Sequence, residues 1–129
     1  EHPLATRTGL TMRDLADYPF LMRESGSGTR LAAERSFELA GTAPNVRMEL
    51  GANESVKQGV IAGLGVAVLS RGTVTLELRH GYLVELPVKP FPIFRHWHVA
   101  WRKGKKLSLA AEAFVDRLLD TAFASVDRK

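Results

Sequence analysis

Across residues 19–69 the chain states one pattern three times: an apolar strand, a short polar or glycine-bearing turn, then a helix start. The strands fall at residues 19–24, 46–50 and 65–70, and the turns at 25–29, 51–55 and 70–73. Strands that alternate with helices predict a parallel α/β sheet, because a parallel return needs a crossover and a helix is the usual one. In such sheets the helix starts gather at the carboxyl edge, and ligands bind in the crevice there. Each helix start offers free backbone N–H groups and a partial positive charge. Several together suit an anionic or carbonyl-bearing ligand, so the first expectation is a small-molecule binding module.

The remaining elements follow from periodicity and punctuation. Residues 1–10 read as an extended leading segment, and the spacing Thr11-x-x-Asp14 predicts a capping box and a short helix to about Asp17. Pro19 opens the first strand of the repeat, a position proline tolerates. A long helix is expected over residues 28–40, with Ala33, Ser36, Phe37 and Ala40 as its buried stripe. Ser27 is its natural N-cap, Gly41 its C′ residue, and Pro44 stops continuation. In the next strand Val46, Met48 and Leu50 alternate with Arg47 and Glu49, which implies a solvated face and an edge or open position. The second helix is expected to be capped by Asn53 and to end at Gly63, with Val56, Gly59, Val60 and Gly63 inward. Gly59 is read as the site of a close approach to the sheet.

Residues 66–69 are apolar on both faces and read as a central parallel strand covered on both sides. Thr73 is expected to cap a shorter helix that carries Val74 and Leu78 and ends at Gly81. A strand over 83–86, a proline-rich crossing over 87–92, and a strand over 94–101 with Trp97, Val99 and Trp101 on one face come next. A last helix starts at Ser108, with Ala111, Phe114, Val115, Leu118 and Ala122 as its stripe. The prolines imply that the chain leaves one sheet and enters another.

Composition narrows the function classes. With 129 residues the chain can build one domain with a real core. The absence of cysteine excludes disulfides and thiolate metal sites. The longest apolar runs fall well short of a membrane span, and no signal peptide opens the chain. Much of the +4 net charge lies in residues 102–106. Contact with a polyanion is one reading of that cluster. A solvated turn is the better one, since the cluster is short and no aromatics interleave it. The chain opens on Glu1 rather than methionine and reads as a fragment of something longer.

Ser25, Ser27 and Thr29 can offer hydroxyls, and Gly26 and Gly28 let a ligand approach the backbone, although helix capping alone needs just one of them. Asn53 and Ser55 form the second helix start, where capping competes with a ligand role; Asn53-Glu-Ser55 also matches a glycosylation sequon, a match that a bacterial cytoplasmic reading would make accidental. His96 and His98 share a strand face, but two histidines fall short of a zinc ligand set, so no metal is expected. There is no Gly-x-Ser-x-Gly elbow and no Walker loop, and Gly63-Leu-Gly65 precedes a strand rather than a helix. The residues therefore point to no enzyme and no cofactor.

Three segments together resemble the effector-binding (substrate-binding) domain of LysR-type transcriptional regulators. They are Arg23-Glu-Ser-Gly-Ser-Gly-Thr-Arg30, the run from Asn53-Glu-Ser-Val-Lys-Gln-Gly through Leu-Gly-Val-Ala-Val-Leu-Ser70, and Gly81-Tyr-Leu-Val-Glu-Leu86. The opening His2-Pro-Leu-Ala and the tail from Phe91 through Arg95-His-Trp-His-Val to the alanine-rich start of the last helix match as well. Within the family the chain looks most like the subgroup that regulates carbon-fixation operons.

The resemblance implies a periplasmic-binding-protein-like (type 2) fold. Two Rossmann-like αβα lobes are joined by two crossing strands, with the effector between them. On that pattern residues 1–17 are a leading segment from the first lobe, 18–88 the second lobe, and 89–129 the crossing strand and C-terminal helix of the first lobe. The first lobe's opening half and the winged helix-turn-helix that reads DNA are not among these residues. Effector contacts are implied at Ser25, Gly26, Ser27, Gly28, Thr29, Asn53, Ser55 and Gln58. The implied protein is a cytoplasmic homo-oligomer, paired side by side, in which a small, anionic effector shifts the population of lobe orientations on DNA. The apolar residues of the 94–101 strand and the last helix then need cover, for which a homodimer is the favoured source. A solute-binding protein of a transporter shares the fold and is the alternative; an enzyme of this fold class is the third. The reading frame upstream of Glu1 separates the first two.

Overall fold

The computed structural model describes residues 2–95 and 98–126, with side chains to residue 120. It divides into two compact units, residues 1–93 and 94–129.

In the first unit, strand β1 (Leu10–Thr11) leads into helix α1 (Met12–Ala16) and strand β2 (Pro19–Arg23). Helix α2 (Gly28–Leu39), strand β3 (Asn45–Leu50) and helix α3 (Asn53–Ile61) follow. A 3-10 turn (Arg71–Thr73), helix α4 (Thr75–Arg79) and strand β4 (Val88–Lys89) complete the unit. Both strand pairings are parallel: β2 with β3, and β1 with β4.

β2 is the centre of the unit. It pairs with β3 on one side, and on the other Phe20 bridges to Val66. Phe20, Leu21 and Met22 are all buried, so both faces of β2 are covered. Phe20 and Met22 join Ala33 and Phe37 of α2, with Met12 and Leu15 of α1, in the main cluster. Phe20 meets Phe37 edge-on at 5.3 Å and 82°, a geometry worth about 0.5–1.5 kcal/mol beyond burial. Leu21 alternates to the opposite face, where α3 lies close: a Cβ at Gly59 would stand 2.7 Å from Leu21 Cδ1. Helices therefore cover β2 from both sides, as a parallel α/β arrangement requires.

The expected start and stop signals hold for α1 and α2. Thr11 donates its backbone N–H and its hydroxyl to Asp14 Oδ2 at 2.9 and 2.7 Å. That bonding, with Arg7 beside it, holds the Asp14 carboxyl below its ordinary value. Ser27 stands at the N-cap position of α2, though its hydroxyl makes no cap bond, and Gly41 follows the helix end at φ +65°.

Several expectations are corrected. Residues 2–7 form a turn, with Ala5 N–H donating to the His2 carbonyl at 2.9 Å and Leu4 fully buried, instead of an extended segment. The central strand is β2, not residues 66–69. Those residues contribute one bridge, through Val66 N–H to the Pro19 carbonyl and Leu21 N–H to the Val66 carbonyl. Val46 and Met48 of β3, 45% and 41% exposed, are open as well as their charged neighbours. α3 is capped by Ala52 and α4 by Val74, not by Asn53 and Thr73; the Thr73 hydroxyl instead donates to the Ser70 carbonyl at 2.7 Å. No strand forms over 83–86; β4 begins at Val88, and the Lys89–Pro90 and Phe91–Pro92 bonds after it are cis.

In the second unit, helix α5 (Leu109–Val126) begins one residue after Ser108, whose Oγ accepts the Ala111 N–H at 3.3 Å. The described part of 94–101 is not in a strand, and its Trp97 and His96 lie outside the described residues. Phe94, Val99, Trp101, Phe114 and Leu118 are exposed, and Val115 is half-buried. Ala122 lies beyond the described side chains. Among the described residues no helix is long and apolar enough to cross a membrane.

Candidate functional site

β2 and β3 run parallel, so their carboxyl ends deliver two turns to the same edge of the sheet. Arg23 pairs with Leu50 at the end of the ladder, and Glu24 N–H continues it to the Leu50 carbonyl at 3.2 Å. From there one chain segment turns through Ser25 and Gly26 into α2, the other through Gly51 and Ala52 into α3. Gly26 makes its turn at φ +87°, a region that L side chains avoid.

The expected effector residues divide between these two turns. Ser25 and Gly26 are exposed; Ser27, Gly28 and Thr29 are half-buried at the start of α2. Asn53, half-buried, is the first residue of α3, Ser55 is exposed in its first turn, and Gln58 lies exposed one turn further on. Gln58 donates to Glu54 Oε1 at 2.9 Å. Among the described residues no side chain caps the N-terminus of α2 or α3. The first-turn N–H groups of both helices thus face outward from one sheet edge, an arrangement suited to negative charge.

Sequence reasoning passed over the charged side chains that hold this edge together. Arg23, its side chain 16% exposed, grips Glu24 through Nε and Nη2 at 2.7 and 2.8 Å. Its Nη1 donates to Asn53 Oδ1, tying the end of β2 to the start of α3. The bond to Arg23 holds the Glu24 carboxyl below its ordinary value and raises Arg23. Arg30 donates to the Arg23 carbonyl at 3.0 Å, to Glu34 at 2.7 Å, and to Glu49 of β3. Hydrogen bonding to Glu34, then to Glu49, raises its pKa. One turn further into α3, Lys57 bridges Glu54 at 2.8 Å and Glu77 of α4 at 2.7 Å. The signal was present: Arg23 and Arg30 bracket the Ser-Gly-Ser-Gly-Thr run on both sides.

No group of three or more histidine, cysteine or carboxylate side chains able to hold a metal occurs among the described residues, and His96 lies outside them. A shallow depression lined by Leu31, Glu34, Arg35 and Glu38 sits on α2 and contains none of the expected effector residues.

The LysR substrate binding domain model matches residues 1–122. A RuBisCO operon transcriptional regulator of Acidithiobacillus ferrooxidans is 46% identical over 118 residues, which is 92% of this chain and 38% of that protein. The HTH-type transcriptional activator CmpR of Synechocystis is 42% identical, again over 92% of this chain and over 39% of its own length. The chain thus spans about two fifths of the length of these curated relatives. Among solved structures, the CcmR regulatory domain of Synechocystis PCC6803 in complex with 2-PG superposes at a TM-score of 0.86 with 41% identity. That match covers 94% of this chain and 58% of the other. The effector binding domain of QuiR in complex with shikimate shares the fold at a TM-score of 0.64 and 23% identity, over 90% of this chain and 54% of that one. The strand–turn–helix units β2–α2 and β3–α3, the parallel sheet centred on β2 and these matches agree, and the chain belongs to the LysR substrate binding domain family.

Proposed function

We propose that this chain is the effector-sensing part of a LysR-type transcriptional regulator that binds a small anionic metabolite. The observation that carries the reading is the sheet edge where α2 and α3 both begin without side-chain caps. It is supported by the 2-PG complex of the 41%-identical CcmR domain. Ser25, Gly26, Ser27, Gly28 and Thr29 supply hydroxyls and backbone N–H groups from one turn; Asn53, Ser55 and Gln58 supply polar groups from the other. The charges of Arg23 and Arg30 are met by Glu24, Glu34 and Glu49, so the attraction for an anion comes from the first-turn N–H groups of α2 and α3.

In this reading residues 18–88 form one lobe and 89–129 return to the other, with residues 1–17 leading in. The short strands β1 and β4 are the two crossings. The whole regulator is a cytoplasmic homodimer that reads DNA through a helix-turn-helix outside these residues. The effector acts by differential affinity for two lobe orientations. We assign the chain no catalytic step, since the matched relatives are transcriptional regulators.

Titration calorimetry of the full-length regulator with 2-PG tests the reading. Saturable binding is expected, weakened at least about tenfold when Ser27→Ala and Thr29→Ala remove two hydroxyl hydrogen bonds together. Full binding by the double variant overturns the assignment of the Ser25 turn. No response to 2-PG or to other small phosphorylated or carboxylated metabolites overturns the anionic reading itself.

A further inference from the structure

We propose that Arg23 is the positioning residue of the effector site: its guanidinium sets the spacing of the two helix starts and fixes the Asn53 amide at the first residue of α3. The inference rests on the effector reading above and adds a residue to it. Asparagine at a helix start normally turns its side-chain oxygen onto the N–H groups of its own first turn. Here Asn53 is already inside the helix and its Oδ1 accepts from Arg23, thirty positions earlier in the chain. The arginine is itself fixed. Glu24 holds Nε and Nη2 in a two-point grip, the side chain is largely buried, and Arg30 bonds the Arg23 carbonyl.

Two separate turns therefore meet through one planar group. Its three nitrogens are divided between the residue that opens the first turn and the residue that follows the second. A planar fork with fixed directions can do this; an ammonium on a flexible stem cannot satisfy the same partners together. The consequence is a site held open: the Asn53 side chain is kept off the first-turn amides of Glu54 and Ser55, while the Val56 N–H already donates to the Ala52 carbonyl, and α3 is held in register with α2. Preorganisation of this kind shows in affinity, because an untethered pair of turns must be ordered by the ligand.

Inorganic phosphate, titrated into the 129-residue chain and followed by amide NMR shifts in residues 25–29 and 53–56, is the probe. Arg23→Lys and Asn53→Ala are each expected to weaken phosphate by about tenfold, the order of one charge-assisted hydrogen bond. The double variant is expected to lose no more than the weaker single. Full affinity in Arg23→Lys shows that charge alone matters and overturns the proposal. So do multiplicative losses in the double variant, which make the two residues independent.

Amide hydrogen exchange without ligand keeps the two readings apart. Both variants should accelerate exchange at residues 51–56 by about tenfold while β2 stays protected. Unchanged exchange there overturns the tether even if phosphate binding falls. Accelerated exchange in the variants, with no phosphate binding to the parent chain, overturns the effector reading and leaves Arg23 a structural tie alone. Asn53→Ala keeps the arginine and its carboxylate partner, so it serves if Arg23→Lys does not fold.

Discussion

β2 and β3 are partners in one parallel ladder, yet they occupy opposite environments. Phe20 is 1% exposed, and its register partner Val46 is 45% exposed. The sequences do not announce so large a difference: both strands carry apolar residues with an arginine and open onto a helix start. What separates them is the number of neighbours. β2 has β3 on one edge, Val66 on the other, α2 on one face and α3 on the opposite one, whereas β3 holds one sheet partner and little cover. A strand's burial is a property of the sheet it joins, and one strand's alternation reports it incompletely.

The sharpest way to break this contrast is a matched pair of truncations. Phe20→Ala should cost about 3–5 kcal/mol, as for other buried phenylalanines. Val46→Ala should cost under about 1 kcal/mol, since part of its surface already meets solvent. Urea unfolding of both variants checks this. Equal losses would mean that β3 is covered in solution by something beyond the chain itself.

Next come the glycines that let other segments approach β2. A Cβ at Gly65 would stand 2.3 Å from the Pro19 carbonyl oxygen, so Gly65→Ala must move backbone and should cost about 1–3 kcal/mol or more. Gly59→Ala should cost less. Its obstacle is the end of the Leu21 side chain, and alanine recovers about 1 kcal/mol of helix propensity. Thermal melts that rank the two in the reverse order would show that Leu21 has no room to turn.

A third test adds charge to the open strand. Met48→Lys should change stability by no more than about 0.5 kcal/mol, the usual range for surface positions. Met22→Lys, on β2, should prevent folding. Circular dichroism of the two proteins reads the difference directly.

The smallest effect concerns pH, on the helix that flanks β2. Lys57 hydrogen-bonds Glu54 and Glu77 and holds both carboxyls below their ordinary 4.5, while they raise Lys57 above 10.5. The carboxylates' contribution is therefore present above 4.5 and lost as pH falls through their lowered values. The lysine's contribution is present below 10.5 and lost as pH rises through its raised value. Lys57→Met should be less stable than the parent at neutral pH, with the gap closing in acid. A gap that persists unchanged at low pH would assign the lysine's role to its buried stem rather than its charge.

Much of α1, β2 and α2 was legible because their signals are local. Thr11 and Asp14 are three residues apart, and Ser27 and Gly41 bracket one helix. The illegible parts were set by distant partners. Residues 66–69 carry the composition of a central strand, but the second edge of β2 receives one bridge, at Val66. Asn53 has the residue type of an N-cap but stands one residue past it, and the arginine that bonds its amide lies thirty positions away on β2. The candidate site was legible as two turns, from spacing and resemblance together. The ion pairs of Arg23, Arg30 and Lys57 were not, since a charged residue in sequence gives no sign of which carboxylate it will meet.

The close approach at Gly65 has a genetic consequence. In a saturation library scored for folding at raised temperature, position 65 should return glycine almost alone. Position 51, where an added Cβ meets nothing within 4 Å, should accept a broad set of residues. Substitutions at 65 that survive at low temperature would behave as conditional alleles, and side-chain changes at Pro19 should not suppress them, because the obstacle is its backbone carbonyl, which every residue carries.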